Sequence, residues 1–120
     1  MKPDKVLSML GLAAKAGAIA SGEFSTEKSV KEGKAFLVIV AGDASENTKK
    51  HFRDMTTFYE VPMYVYSEKE MIGHAIGKEF RASLAVQDIG FAKEIIKHLT
   101  NLEREDQRRR QIIHGKNESE

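Results

Sequence analysis

The sequence predicts an α/β protein: a three-layer α/β/α sandwich around a small mixed, mostly parallel sheet of about four strands. Three observations lead there. Segments with helical apolar spacing alternate about four times with short β-type runs, and a closing helix follows. The run Ala35-Phe36-Leu37-Val38-Ile39-Val40-Ala41 is apolar at every position, as in a strand covered by helices on both faces. The 120 residues contain no linker or internal repeat and have the length of one domain.

The elements follow in order. Residues 4–16 read as a helix, with Val6, Met9, Leu10, Ala13 and Ala14 at three-four spacing and Gly17 stopping the run. Ala18-Ile19-Ala20 is a short extended piece. Gly22 opens a second helix that reaches about Glu32, and Gly33 takes the usual C-terminal glycine position. The apolar strand 35–41 follows, then a turn at Gly42-Asp43-Ala44-Ser45 with cap candidates. A third helix is expected over 45–59, with Thr48, Phe52, Met55 and Tyr59 on one stripe. Val61 to Tyr66 reads as a strand, and Pro62 near its start points to an edge position. Ser67-Glu68-Lys69-Glu70 has capping-box spacing and opens a short helix ending near Gly77. Ala82 to Val86 is the last strand, and Asp88 caps a final helix with Ala92, Ile95, Ile96, Leu99 and Leu102 as its apolar stripe. Residues 1–102 are therefore expected to form one domain. Residues 103–120 form a charged tail that prolongs the last helix for a turn or two and is then disordered.

Composition excludes several classes of function. With no cysteine, there is no disulfide framework, zinc–thiolate or iron–sulfur site, or thiol nucleophile. Histidines 51, 74, 98 and 114 never fall at metal-ligand spacing, so neither a metal nor another cofactor is expected. No apolar run approaches the roughly 20 residues of a membrane span. The start MKPDKVLSML carries an Asp and no small-residue cleavage site, so no secretory leader is expected and the compartment is read as the cytoplasm. Net charge is only +1, but the basic residues cluster, at Lys28/Lys31/Lys34, Lys49/Lys50, Lys78/Arg81 and Arg108 to Arg110. Such clusters are either ordinary solvated surface or a basic face.

Catalytic constellations are missing. There is no nucleophile elbow. Gly73-His74-Ala75-Ile76-Gly77-Lys78-Glu79 falls one residue short of a phosphate loop and lacks the hydroxyl after Lys, so Gly73 and Gly77 read as close helix packing. His51 and His74 read as surface histidines, and Glu68/Glu70 as first-turn acids facing a helix dipole. The protein is not expected to be an enzyme.

What remains is Ser21-Gly22-Glu23-Phe24-Ser25-Thr26-Glu27-Lys28, a helix start with a glycine and small hydroxyls. Its bare N–H groups and dipole suit an anion such as a phosphate. Lys28 and Lys31, three residues apart, can flank one rim. Phe24 has two readings at this point: a staple onto the core, or an exposed ring that stacks on a base.

The stretch from Ser21-Gly22 through Lys28-Ser29-Val30-Lys31-Glu32-Gly33-Lys34-Ala35 and the apolar strand to Ala41-Gly42-Asp43-Ala44 resembles the core signature of the ribosomal protein L-seven-Ae family, which includes the L-thirty-e type. Val61-Pro62-Met63-Tyr64 resembles the family's Val-Pro strand, and Met71 to Lys78 its Leu-Gly-x-Ala-x-Gly-Lys segment. Leu10-Gly11-Leu12-Ala13-Ala14-Lys15-Ala16-Gly17 is similar to the bacterial, YlxQ-type branch. The resemblance covers roughly residues 4–100 and implies the same α/β/α fold. It also implies binding of structured RNA, typically kink-turns, with ribosomal RNA as a candidate source; the protein is expected to be a monomer. Carried across residue by residue, the implied contacts are Gly22, Glu23, Phe24, Ser25 and Lys28 on the second helix, with Lys78, Glu79, Phe80 and Arg81 on a neighbouring loop; Lys31 joins them through its spacing from Lys28. One departure stands out: Phe24 and Ser25 occupy the positions where the family has Asn and Glu, the side chains able to read guanine edges. On that basis Phe24 is expected to be solvent-facing. The alternative function is a protein–protein adaptor on the same scaffold, with Phe24 as its anchor.

Overall fold

The computed structural model describes residues 4–118, with side chains through residue 111. The chain runs α1 (Lys5–Lys15), β1 (Ile19–Ser21), α2 (Glu23–Lys31), β2 (Leu37–Val40), α3 (Glu46–Phe58), β3 (Met63–Val65), α4 (Lys69–Ala75), β4 (Ser83–Val86) and α5 (Ile89–Glu118). Apolar periodicity accounts for most of this. β2 and β4 are buried at every position, as a strand sandwiched between helices must be. α1 buries Val6, Leu10 and Ala13 and is capped by Asp4, whose Oδ1 accepts the Leu7 N–H at 3.0 Å. Ser45 caps α3, and Asp88 caps α5 through the Phe91 N–H at 2.9 Å. Gly33 turns the chain out of α2 at φ +72°.

The four strands lie in the order β1-β4-β2-β3. β2 and β3 pair in parallel, while β4 is antiparallel to both β1 and β2. The sheet is therefore mixed but not mostly parallel, which corrects the sequence expectation. β1, β2 and β3 all run the same way. α2 and α3 each carry the chain back to the opposite end before the next strand. α4 has only seven residues, about 10 Å of helix, and does not complete the return, so β4 enters reversed, between β1 and β2.

α2 and α3 cover one face of the sheet, and α1, α4 and α5 the other. Side chains confirm the layering. Ser83 of β4 reaches Thr26 on α2 and Met63 of β3 meets Thr56 on α3, whereas Tyr64 meets Thr100 on α5 at 3.3 Å. Alternate strand positions thus serve opposite helical layers. Leu10, Leu37, Ile39, Phe52, Ile72, Leu84 and Ile95 are the largest fully buried side chains.

Three local expectations change. Ser67 does not cap α4. Its carbonyl accepts the Gly42 N–H at 2.7 Å and its φ is +60°; the helix start is instead served by Asp43 Oδ1, which accepts the Lys69 N–H at 2.8 Å. The α3 stripe buries Phe52, Met55 and Thr56, while Tyr59 is largely exposed. Thr56 is admitted because its hydroxyl donates to the Phe52 carbonyl at 2.7 Å. Finally, α5 continues to Glu118 instead of a turn or two past Leu102, and Leu102 itself is exposed. Glu, Arg and Gln are strong helix formers, and Asp106 pairs with Arg110 at 3.1 Å across one turn. The expected disordered stretch also includes residues 119 and 120, which lie outside the described residues.

Candidate nucleic-acid interface

The start of α2 depends on a backbone that only glycine adopts readily. Gly22 sits at φ +91°, ψ 161°, a region closed to side chains with a Cβ. Its N–H donates to the Ser83 carbonyl at 2.9 Å, anchoring the helix start to β4. No side chain caps α2. The first-turn N–H groups of Glu23, Phe24 and Ser25 therefore point outward without partners among the described residues.

α2 is held from beneath by polar contacts more than by apolar ones. Thr26, Ser29 and Val30 are its buried residues. Ser83 Oγ and Thr26 Oγ1 lie 3.3 Å apart, and Gln87 Nε2 donates to Ser29 Oγ at 2.9 Å. The outer face carries Glu23, Phe24, Ser25, Lys28 and Lys31, all exposed. The Phe24 ring is 78% exposed; it does not staple the chain to the core, so the solvent-facing expectation stands. Phe24, Glu27, Lys28, Lys31 and Glu32 line a shallow groove of about 360 Å³. Lys31 is engaged within it: Nζ donates to Glu27 Oε1 at 2.8 Å, while His51 Nε2 on α3 lies 3.6 Å from the same carboxylate. The Lys31 hydrogen bond holds the Glu27 carboxyl below its ordinary value and raises the Lys31 ammonium. Lys28 makes no such pair among the described residues and is the free cation of this face.

The loop from Lys78 to Arg81 is seated by Gly73. A Cβ on Gly73 would fall 2.2 Å from the Glu79 carbonyl oxygen, so the loop backbone occupies the space a side chain would need. The Lys78 N–H donates to the Gly73 carbonyl at 2.7 Å, and the Arg81 N–H to the Lys69 carbonyl at 3.1 Å. Held in this way, the loop turns Lys78, Glu79 and Phe80 outward, with the Phe80 ring 61% exposed.

Arg81 joins the two segments. Its Nε donates to Ser21 Oγ at 3.1 Å, and its Nη1 donates to the Phe80 carbonyl at 2.7 Å. Residues sixty positions apart thus form one rim, at the end of the sheet where β1 finishes and β4 begins. The half-buried Arg81 guanidinium acts here as a brace. Ser21 lies in the segment that the sequence picks out but is not among the implied contact residues, and its role as the partner of Arg81 emerges only from the fold. Of the other basic clusters, Lys34, Lys49 and Lys50 pair with Glu32, Glu46 and Asp54. Among the described residues no group of His, Asp and Glu is arranged to hold a metal ion, and no helix is long and apolar enough to cross a membrane.

A mixed four-stranded sheet between two helical layers, with a helix start braced against a loop at one sheet end, defines a class of small α/β/α sandwich proteins with an exposed rim and a filled core. Within that class, the chain belongs to the ribosomal protein L7Ae/L30e/S12e/Gadd45 family, whose model matches residues 4–96. It is 44% identical over 92 residues to the RNA-binding protein YlxQ of Enterococcus faecium, covering 76% of this chain and 87% of that one. Against the RNA-binding protein YlxQ of Bacillus subtilis (strain 168) it is 40% identical over 88 residues, covering 73% and 88%. Among solved structures, a protein of unknown function from Bacillus halodurans superposes with a TM-score of 0.77 at 39% identity, covering 79% of this chain and 96% of that one. A 15.5 kD RNA-binding protein of Giardia lamblia has the same fold, with a TM-score of 0.70 at 23% identity, covering 85% and 93%.

Proposed function

We propose that this chain is a non-catalytic RNA-binding protein that grips structured RNA with the α2 start and the 78–81 loop. The observation that carries the reading is the Arg81–Ser21 hydrogen bond, which holds two exposed aromatic rings and an unpaired helix start on one rim. The names of two relatives at 40% identity or more support the same partner class. In this reading the first-turn N–H groups and Lys28 take phosphate oxygens, while Phe24 and Phe80 stack on unpaired bases. Gly22 keeps the backbone close to the RNA, Glu23 and Ser25 border the contact, and Lys31 reaches it from its pair with Glu27. Phe24 and Ser25 offer no bidentate group for sheared G·A edges. Recognition therefore rests on backbone shape and stacking more than on base edges. A ribosomal RNA bend is a fitting target, engaged by a monomer in the cytoplasm.

A second reading follows from the same 78% exposure of Phe24: the rim docks a protein and the ring is its anchor. Salt separates the two. RNA affinity for a kink-turn probe should fall steeply as salt rises, because phosphate contacts release counterions. A salt-insensitive partner that competes for Phe24 would favour the adaptor. The swap Phe24→Asn with Ser25→Glu sharpens the test, since it should tighten binding to a kink-turn but not to a version lacking the G·A pairs. If it gains on neither, the residue-by-residue placement of the interface is wrong.

A further inference from the structure

We infer that α5 carries a second RNA contact, a basic stripe of Lys93, Lys97, Arg104 and Arg108 that takes the phosphate backbone of a helical stem flanking the rim. The inference rests on the RNA reading above. At 3.6 residues per turn the four side chains fall within a sector of about 60° and span about 22 Å along the axis. Ala92, Ile95 and Leu99, the buried residues of this helix, centre on the opposite side, so the stripe faces directly away from the core. All four residues are exposed. None forms an ion pair among the described residues, whereas Arg110, on another side of the same helix, pairs with Asp106 at 3.1 Å.

The folded chain alone does not account for the stripe. Lys93/Lys97 and Arg104/Arg108 are like-charge pairs at i,i+4, an arrangement that weakens a helix. Residues 103–111 are exposed at every position, so no tertiary packing offsets that repulsion in the outer half. A row of cations about 22 Å long matches a run of backbone phosphates better than it matches a single acidic side chain.

Topology runs the stripe from the far end of the sheet toward the end that carries the rim, with Arg104 and Arg108 nearest to it. Glu105, Leu102 and His98 line a cavity of about 570 Å³ together with Tyr66 and Asp4, so α5 passes the sheet just beyond the end of β3. β1 and β3 run the same way, and the rim lies just beyond the end of β1. The part of α5 past Glu105 therefore projects beyond the sheet end that carries the rim, at the opposite edge. An RNA bent at the rim could lay one flanking stem along α5.

The test compares two probes, a kink-turn RNA with a long flanking stem and the same RNA with that stem trimmed. Binding of each is titrated against salt for the full chain, for the stripe variant K97Q/R104Q/R108Q, and for the charge-matched control K34Q/K50Q/R110Q. On the long-stem probe the stripe variant should lose about two to three units of salt slope and at least about tenfold in affinity at low salt. On the trimmed probe it should match the full chain. Its thermal midpoint should be equal or higher, since like-charge pairs have been removed. A stripe variant that keeps the full slope on the long-stem probe overturns this inference and leaves the rim reading intact. So does an equal loss in the control, which would reduce the effect to net charge. Failure of the unmodified chain to bind either probe overturns both.

Discussion

α2 and α3 lie side by side on one face of the sheet and place Phe24 and Phe52 in opposite environments, although α3 also ends on an exposed ring, Phe58. α3 turns Phe52 inward, where it is 0% exposed, and buries Met55 and Thr56 beside it. α2 buries Thr26, Ser29 and Val30, and leaves its one aromatic ring, Phe24, 78% exposed. The α3 pattern is what packing demands of an amphipathic helix. The α2 pattern is not, because hydroxyls occupy the inner side and a phenyl ring meets water. α2 is positioned by hydrogen bonds to Ser83 and Gln87, which leaves its outer face free for another purpose. The proposed interface therefore rests on an exposed ring set beside an uncapped helix start, a combination that Phe58 at the end of α3 does not share.

Substitutions can break or sharpen this contrast. The largest effect belongs to Phe52→Ala, which should cost roughly 3–5 kcal/mol as a core truncation, while Phe24→Ala should stay within about 0.5 kcal/mol. Urea denaturation of the two variants measures the gap directly, and similar losses would erase the distinction between the helices. Next comes Gly73→Ala. Its Cβ would meet the Glu79 carbonyl at 2.2 Å, and this overpacking should cost about 1–3 kcal/mol. Displacing the loop should also weaken RNA binding, so a variant that lost stability but kept full affinity would detach the loop from the interface. Lys28→Ala should leave stability unchanged, cost about 1 kcal/mol of RNA affinity and lower the salt slope by about one unit. An unchanged slope would remove Lys28 from the contact.

The smallest effect lies in the seam between the two helices, where Glu27 of α2 meets Lys31 and His51. The Lys31 hydrogen bond lowers the Glu27 pKa from an ordinary 4.5. A depressed carboxyl stabilises the fold above its unfolded value, and that contribution disappears as pH falls through the folded value. The full chain should therefore lose slightly more stability than Glu27→Gln as pH drops below about 4.5. Parallel pH profiles from thermal melts would show that the pair adds nothing to the fold.

Much of the fold is legible in the sequence because burial writes periodicity. The all-apolar β2, the caps at Ser45 and Asp88, the glycine stop at Gly33 and the edge position signalled by Pro62 each have a local cause. What is not legible depends on distant partners. The insertion of reversed β4 between β1 and β2 follows from where α4 leaves the chain. The capping of α4 by Asp43 instead of Ser67 spans 26 residues. The length of α5 reflects exposed helix formers that an apolar pattern does not score. The site divides in the same way. Gly22, the open helix start and Phe24 can be read as a contiguous segment. The bond between Ser21 and Arg81 cannot, since nothing in either segment names the other.

The measurement that tests the central claim most directly is the affinity of Phe24→Ala for a structured, kink-turn-type RNA at fixed salt, taken together with its unfolding free energy. If the α2 start is an RNA surface, stability stays within about 0.5 kcal/mol while affinity falls by roughly 1–3 kcal/mol, the usual worth of one base–aromatic stack. Unchanged affinity in a variant of unchanged stability would contradict the account and move the RNA surface away from α2.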